Sequence, residues 1–541
     1  MSADSVRRPG AVLVVLLLLA GGLRVWIALQ PGLWVDEIFS IAIATGHSLE
    51  HSAAVADPTL GDYVEPPGPE PAAFFRRYME HDDPPAGVGR VLRAVALSDT
   101  SPPLYYLLLG WWMRIAGTSD AALRLFSATC GLVALPLVWS IGRALGGARL
   151  ACIASLLFAV APPALYYSGE GRMYALTWVC GLALARLTLA LAERGPRPLL
   201  VAGWVLASAA GLLTHYFVAF VWVAMVVWLA LHARPVRWSA LALLVVCVGL
   251  AVAPWYAHVP ESLAAWRVTG GWLDKRLGPR QHAVGLLRLA GSLVNGRGVW
   301  GGSGALMYVQ FALLGLLGAA VVRSGLRAFL RPAFQLPVLW TAASVVGPVV
   351  FDVLRHTATS EVERYALPGL PGGILVLACA LHHVPVRVGG AILVATLVTW
   401  LPGIRDVPRA APRWWEPFPV LAGELGGLTG PRDLVIVNSI PSGVLGIARY
   451  VDSATPIASW VVQLGRRRMP EDAEALTRDR CRVAFVRVHD VGGRAPVEDW
   501  LRSRADVERE YRDAVMGTDV VRFTRAGRDP ECAAAAPSRT R

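Results

Sequence analysis

A polytopic bundle of transmembrane helices followed by a small α/β domain is the architecture this 541-residue sequence predicts. Three observations carry it. The chain is 55% hydrophobic and only 17% charged, outside the range of soluble domains. Its apolar residues come in repeated runs long enough to cross a bilayer, which takes about 20 residues of helix. Beyond residue 402 the pattern changes to short apolar strands alternating with polar helices. All-round apolar runs exclude a transmembrane β-barrel, whose strands alternate over about ten residues.

Residues 1–10 carry Arg7 and Arg8 and are expected on the cytoplasmic side. The first span is 11–29. It resembles a signal-peptide core, but no small-residue cleavage site follows, and Asp36-Glu37 stand where one would fall, so a retained helix is expected. Residues 30–100 form a long first outer loop with Pro-rich stretches and an acidic patch (Glu80, Asp82, Asp83) that reads as a solvated face. A loop of this length points to function. Further apolar runs lie at 103–117, 122–145, 150–167, 173–192, 198–214, 216–233, 238–256, 304–322, 335–351, 365–382 and 386–402, which predicts about 11–13 transmembrane helices.

Arg143 and Arg149, Arg194 and Arg197, Arg234 and Arg237, Arg323, Arg327 and Arg331, and His382, His383 and Arg387 mark inner loops by the positive-inside pattern. The outer side then holds Arg172, the His215-Tyr216 turn, a second long loop at 257–303, Arg364-Tyr365 and everything after 402. Counting every run as a crossing gives an even number and leaves the tail inside, against the charge pattern. Either a re-entrant 103–117, opened by Pro102-Pro103, or a further crossing within 284–300 removes the conflict.

The tail reads as an extracytoplasmic α/β domain over 413–525, then a disordered stretch at 526–541. Leu434–Val437 and Val483–Val486 read as buried strands. Gly443–Tyr450, Glu471–Leu476 and Val497–Arg504 read as helices, an alternation that implies a partly parallel sheet. No glycine-rich phosphate fingerprint opens any of these helices.

The net charge of +12 does not point to nucleic acid, because the arginines sit in short links between apolar runs. Of the seven cysteines, Cys130, Cys152, Cys180, Cys247 and Cys379 fall in apolar runs and read as packing residues. Cys481 and Cys532 could pair if the tail is exported. His47, His51 and His81 show no metal-ligand spacing, and Arg466-Arg467-Arg468 reads as a loop on the exported domain, with contact to anionic lipid heads as the alternative.

Four constellations carry groups suited to chemistry at the outer side. They are Asp36-Glu37, the segment from Ser98 and Asp99 through Tyr105-Tyr106, the segment from Tyr166 through Glu170 and Arg172 to Tyr174, and the segment from Glu361 to Pro371 with Arg364-Tyr365. Adjacent carboxylates where a chain leaves a membrane are costly to bury and rarely serve packing. Plain readings stand beside these. Tyrosines at a membrane boundary are common anchors, arginines near span ends snorkel, and Arg364 has Glu361 and Glu363 as near partners. His215 alone reads as a satisfied polar residue at a helix end.

In order along the chain, Trp34-Val35-Asp36-Glu37, Asp99 with Pro102-Pro103-Leu104-Tyr105-Tyr106, Leu123-Arg124-Leu125 with Ser127, Tyr167-Ser168 with Glu170 and Arg172-Met173-Tyr174, Thr214-His215-Tyr216-Phe217, and Arg364-Tyr365 with Pro368 and Pro371 form one series. This series resembles the polyprenyl-phosphate-dependent integral-membrane glycosyltransferases of the GT-C type, the group of protein O-mannosyltransferases and lipid A aminoarabinose transferases. The resemblance covers about 10–402. Where the group usually has His before Pro-Pro, this chain has Ser101.

The resemblance implies Asp36 as the catalytic base or acceptor-orienting group, with Glu37 beside it, and Arg172 and Arg364 as binders of the donor phosphate. Asp99, Tyr105, Tyr106, Glu170, Tyr174, His215, Tyr216 and Tyr365 are expected in support, with no metal and no cofactor. The expected reaction moves mannose or another hexose or pentose from a polyprenyl-phosphate donor to a hydroxyl of a protein, glycolipid or glycan. It would take place at the outer face of the cell membrane, among membrane lipids. A carboxylate suits activation of a hydroxyl, and guanidiniums suit a departing phosphate. With Asp36 as base rather than covalent nucleophile, a single displacement inverts the anomeric centre. Two other classes compete: a transporter or flippase of a lipid-linked sugar, and a non-catalytic envelope-assembly protein. No internal repeat of the kind common in transporters is visible.

Overall fold

The protein is described by a computed structural model over residues 9–99, 101–233, 235–294, 304–410, 418–488, 496–513, 518–527 and 529–534. Thr100, Arg234, the domain boundary at Arg413 and the segment 295–303 lie outside the described residues.

Eight helices among the described residues are long and apolar enough to cross a membrane. The chain opens with α1 (Pro9–Ala28), then α2 (Val35–Ala44), α3 (Val88–Ser98) and α4 (Leu104–Ala116). Helix α5 (Asp120–Val160) runs for 41 residues and carries two expected spans, 122–145 and most of 150–167, because it doubles back at Gly146-Gly147. Gly147 has φ 75°, a conformation only glycine adopts freely. The two arms then press so closely that a Cβ on Gly142 would lie 2.6 Å from Ala151 Cα. The short α6 (Pro162–Ser168) follows, then α7 (Tyr174–Arg194), α8 (Pro198–Leu212), α9 (Val218–His232) and α10 (Trp238–Tyr256). The bundle is completed by α11 (Pro279–Val294), α12 (Gly304–Ser324), α13 (Pro332–Arg355), α14 (Leu370–His383) and α15 (Val386–Ala410).

The run at 103–117 is short for a crossing. Its 13 residues reach about 20 Å, short of a hydrocarbon core of about 30 Å. Both of its ends lie at one end of the bundle. Leu104 N donates to Leu213 O beside the His215 turn, and Asp120, just beyond its other end, accepts from Gly32 N. These ends fit the re-entrant alternative for 103–117. Residues 257–303 are also more than a loop, since α11 packs on α13 and α14.

Beyond the bundle lies a six-stranded sheet of order β1-β3-β2-β4-β6-β5. Its strands are β1 (Glu70–Pro71), β2 (Asp433–Asn438), β3 (Pro456–Trp460), β4 (Arg482–Arg487), β5 (Asp506–Asp513) and β6 (Thr518–Thr524). The three central strands are parallel, and the β4-β6-β5 side is antiparallel. Strand β2 is buried on both faces, as its unbroken apolar run requires. Val435 and Val437 pack into the core shared with the bundle, and Leu434 and Ile436 into a second core with Phe485 and Leu501. Helices α16 (Pro441–Tyr450), α17 (Glu471–Thr477) and α18 (Pro496–Arg504) fall where the sequence places them.

The first long loop belongs structurally to this domain, since β1 comes from it and pairs with β3. Arg467 donates to Pro66 O (2.7 Å), Pro67 O (2.8 Å) and Ser459 O (3.1 Å), and Arg466 to Glu65 O (3.4 Å). These two arginines join the first loop to the sheet. In the acidic patch Glu80 and Asp83 are exposed as expected, while the half-exposed Asp82 pairs with Arg90 at 2.5 Å and lies 3.7 Å from His47. The expected disorder from 526 onward gives way at Pro530–Ala534, a short helix fixed by a Cys481–Cys532 disulfide. Residues 535–541 lie outside the described residues.

Candidate active site

The site forms at the end of the bundle where α1 gives way to α2. Asp36 and Glu37 fill the first turn of α2, where backbone N–H groups favour negative charge. Adjacent helical residues point about 100° apart, so the two carboxylates part company. Glu37 turns into the bundle, where Arg124 of α5 grips both its oxygens. Gly171 N donates to the same carboxylate at 2.8 Å, and neither Glu37 nor Arg124 reaches solvent. A buried charge needs such a partner, and here it has one.

Asp36 turns outward and its side chain is 26% exposed. Its Oδ2 accepts from Arg364 Nη1 at 3.2 Å and stands 3.9 Å from Arg172 Nε. Arg172 links this acid to a second one. Its Nη1 donates to Tyr106 OH (3.1 Å) and Ser40 Oγ (3.2 Å), and its Nη2 lies 3.6 Å from Asp99 Oδ2. Tyr106 donates its hydroxyl proton to the same Asp99 oxygen, and Ser101 N donates to the other at 3.0 Å. Burial works to raise the Asp99 carboxyl, but Arg172 and these donors outweigh it and hold it below the usual carboxylate range.

Arg364 is framed by aromatic rings, with Trp272, Trp34 and Tyr365 centred 5.4, 5.8 and 5.9 Å from its guanidinium carbon. Glu361, one of its near partners in sequence, bonds Lys275 at 3.0 Å. Behind the arginines sits Glu170. Burial, then the neighbouring Glu37 and Asp36 charges, push its carboxyl up to about 8, so it carries a proton at neutral pH. His215 is held neutral by burial and by Arg172, its value lowered to about 4. Its Nδ1 accepts from Phe217 N at 3.1 Å, and its ring stands 6.3 Å from those of Tyr174 and Tyr365.

Of the residues singled out in the sequence, Asp36, Asp99, Tyr106, Arg172 and Arg364 meet directly. Glu170, Tyr174, His215 and Tyr365 border them. Tyr105 packs its ring against Tyr106 and Phe126, and Tyr216 accepts from Trp255 Nε1 at 3.2 Å, so both stand behind the cluster. Sequence reasoning gave no role to Arg124, Ser40 or Trp272. Arg124 had a readable signal: an arginine inside an apolar run demands a partner.

Residues 100–258 match the model of a family described as dolichyl-phosphate-mannose-protein mannosyltransferase. No curated protein matches the chain. Among solved structures, the fold is similar to that of ArnT from Cupriavidus metallidurans in the apo state, at 14% identity and a TM-score of 0.57, covering 94% of this chain and 97% of that one. It is similar also to ArnT from the same organism bound to undecaprenyl phosphate, at 14% identity and a TM-score of 0.56, covering 96% and 98%. At such identity the likeness is one of fold, and it spans the bundle and the sheet domain alike. The fold is thus that of the ArnT structures, and the match to the mannosyltransferase family model falls within its helical bundle.

Proposed function

We propose that the protein transfers a sugar from a polyprenyl-phosphate donor to an acceptor hydroxyl, with Asp36 as the base. The observation that carries this reading is the partly exposed Asp36 carboxylate, 3.2 Å from Arg364 and 3.9 Å from Arg172. A base and two phosphate-binding cations thus share one opening. The undecaprenyl phosphate in the ArnT structure of the same fold supports a lipid-phosphate donor.

In this mechanism Arg172 and Arg364 receive the donor phosphate and take up the charge that develops on it as the glycosidic bond breaks. Asp36, relieved of part of its pairing, accepts the proton of the acceptor hydroxyl as that oxygen attacks the anomeric carbon. One displacement inverts that centre and releases the polyprenyl phosphate. The two guanidiniums supply the positive charge, so the proposed transfer needs no divalent cation. Glu37 acts through Arg124 and Gly171 to fix α2, and Asp99 with Tyr106 orients Arg172. The Cys481–Cys532 disulfide supports an extracytoplasmic sheet domain, and with it a reaction at the outer face of the cell membrane.

The test is transfer from polyprenyl-phosphate-linked mannose, arabinofuranose and aminoarabinose to a cell-envelope extract, with chelator present. Wild type should release polyprenyl phosphate, and Asp36→Asn should not, while still binding undecaprenyl phosphate. Full turnover by Asp36→Asn would sink the mechanism. Uncleaved donor appearing in the opposite leaflet would favour a flippase.

A further inference from the structure

The link between α1 and α2 that leads into Asp36 is held from outside the bundle, by a helix more than 400 residues away in sequence. This link, Gln30 to Trp34, has backbone groups that no helix can satisfy, and Gly32 takes φ 93° within it. Two of its carbonyls are met from the bundle side. Arg124 donates to Gln30 O at 2.7 Å and to Gly32 O at 2.6 Å. Two of its amides are also met, one by Asp120 at the start of α5 and one by Tyr450 of the sheet domain. Asp120 Oδ2 accepts from Gly32 N at 3.1 Å, and Tyr450 OH accepts from Leu33 N at 2.8 Å.

The Tyr450 hydroxyl also donates to that same Asp120 oxygen, at 2.6 Å. Asp120 is aimed by the residue next door, since Arg449 Nε bonds its Oδ1 at 2.8 Å and Arg449 Nη2 bonds Thr118 O at 2.8 Å. Thus one phenol, both donor and acceptor, closes a ring of Gly32, Leu33, Asp120 and α16. Asp36 lies three residues beyond Leu33, in the first turn of the helix this link starts.

We infer that Tyr450 of the C-terminal domain is a positioning residue for Asp36. The sheet domain thereby completes the active site of the bundle. The inference rests on Asp36 being the base. A misplacement of about an ångström can cost about 100-fold in rate. Tyr450→Phe removes the two hydrogen bonds of the hydroxyl while keeping the ring and the Arg449–Asp120 pair.

The test compares full-length wild type, Tyr450→Phe and Arg467→Ala in lipid nanodiscs, with polyprenyl-phosphate-linked sugars as donors and a cell-envelope extract as acceptor. Tyr450→Phe should lower kcat by about 10-fold or more. Its affinity for undecaprenyl phosphate and its unfolding midpoint should stay near wild type. Arg467→Ala loosens the same seam at Pro66, Pro67 and Ser459, away from the link, and should lower the midpoint while keeping kcat. Wild-type kcat in Tyr450→Phe would overturn the inference, as would an equal loss of kcat in Arg467→Ala. Should wild type use none of the donors, the reading of Asp36 falls by itself. Amide exchange at Gly32 and Leu33 then decides: faster exchange in Tyr450→Phe supports a positioned link, and unchanged exchange overturns it.

Discussion

Arg124 holds Glu37 by both carboxylate oxygens, Nε at 2.7 Å from Oε1 and Nη2 at 2.6 Å from Oε2, with neither side chain open to water. The same guanidinium ties down Gln30 O and Gly32 O, and the same carboxylate accepts from Gly171 N, next to Arg172. One buried pair therefore connects both sides of the candidate site.

Removing one partner would leave the other charged and buried. Arg124→Met should destabilise the fold by about 3–5 kcal/mol, read as a lower unfolding midpoint in detergent. Glu37→Gln should lower it less, because the amide still accepts from Gly171. Lost transfer at an unchanged midpoint in Glu37→Gln would instead make Glu37 a reacting group.

Asp99 offers a contrast with Asp36. It touches Arg172 and Tyr106, and in the proposed mechanism it orients Arg172. Asp99→Asn should weaken undecaprenyl phosphate binding and leave measurable turnover, whereas Asp36→Asn should abolish turnover and spare binding. Binding isotherms beside turnover rates separate the two. Matching losses in both variants would merge their roles.

Much of this site was legible in the sequence because its residues sit at span ends in motifs with a fixed order. Asp36 and Arg364 are 328 residues apart, yet each stands at a membrane boundary where a bare charge calls for a reason. The split between Asp36 and Glu37 was less visible, although helical geometry alone sends adjacent side chains different ways. Strand β1 was invisible: Glu70-Pro71 is two residues long and shows no alternation, and only β3 makes it a strand. Tyr450 was equally hidden, since nothing local to α16 shows that its last residue meets Leu33. The turn-back at Gly146-Gly147 was legible, as was the shortness of 103–117, where a count of residues against bilayer thickness decides.

Arg364 should matter for the donor through charge and geometry together. Arg364→Ala removes one of the two guanidiniums that face the opening and should weaken undecaprenyl phosphate binding about 10- to 100-fold, as expected for roughly 1.5–3 kcal/mol from a charged hydrogen bond. Arg364→Lys keeps the charge but loses the planar fork and should recover only part of it. Full recovery by lysine would mean that charge alone is read.

Glu50 joins the two long loops and should make that junction pH-sensitive. Its Oε2 accepts from Thr269 N at 2.7 Å and Thr269 Oγ1 at 2.8 Å, and its backbone carbonyl accepts from Val268 N. Burial pushes its carboxyl up to about 7 from an ordinary 4.5, despite the opposing pull of Thr269. A carboxyl raised in this way holds its proton more tightly in the folded state. Its contribution is therefore most favourable at acid pH and is lost as pH rises from the unfolded value through the folded one. Amide exchange at Val268 and Thr269, corrected for the base-catalysed intrinsic rate, should be faster at about pH 8 than at about pH 5.5. Glu50→Gln stays neutral throughout and should flatten that difference. Equal corrected rates in wild type at both pH values would show that the junction does not titrate.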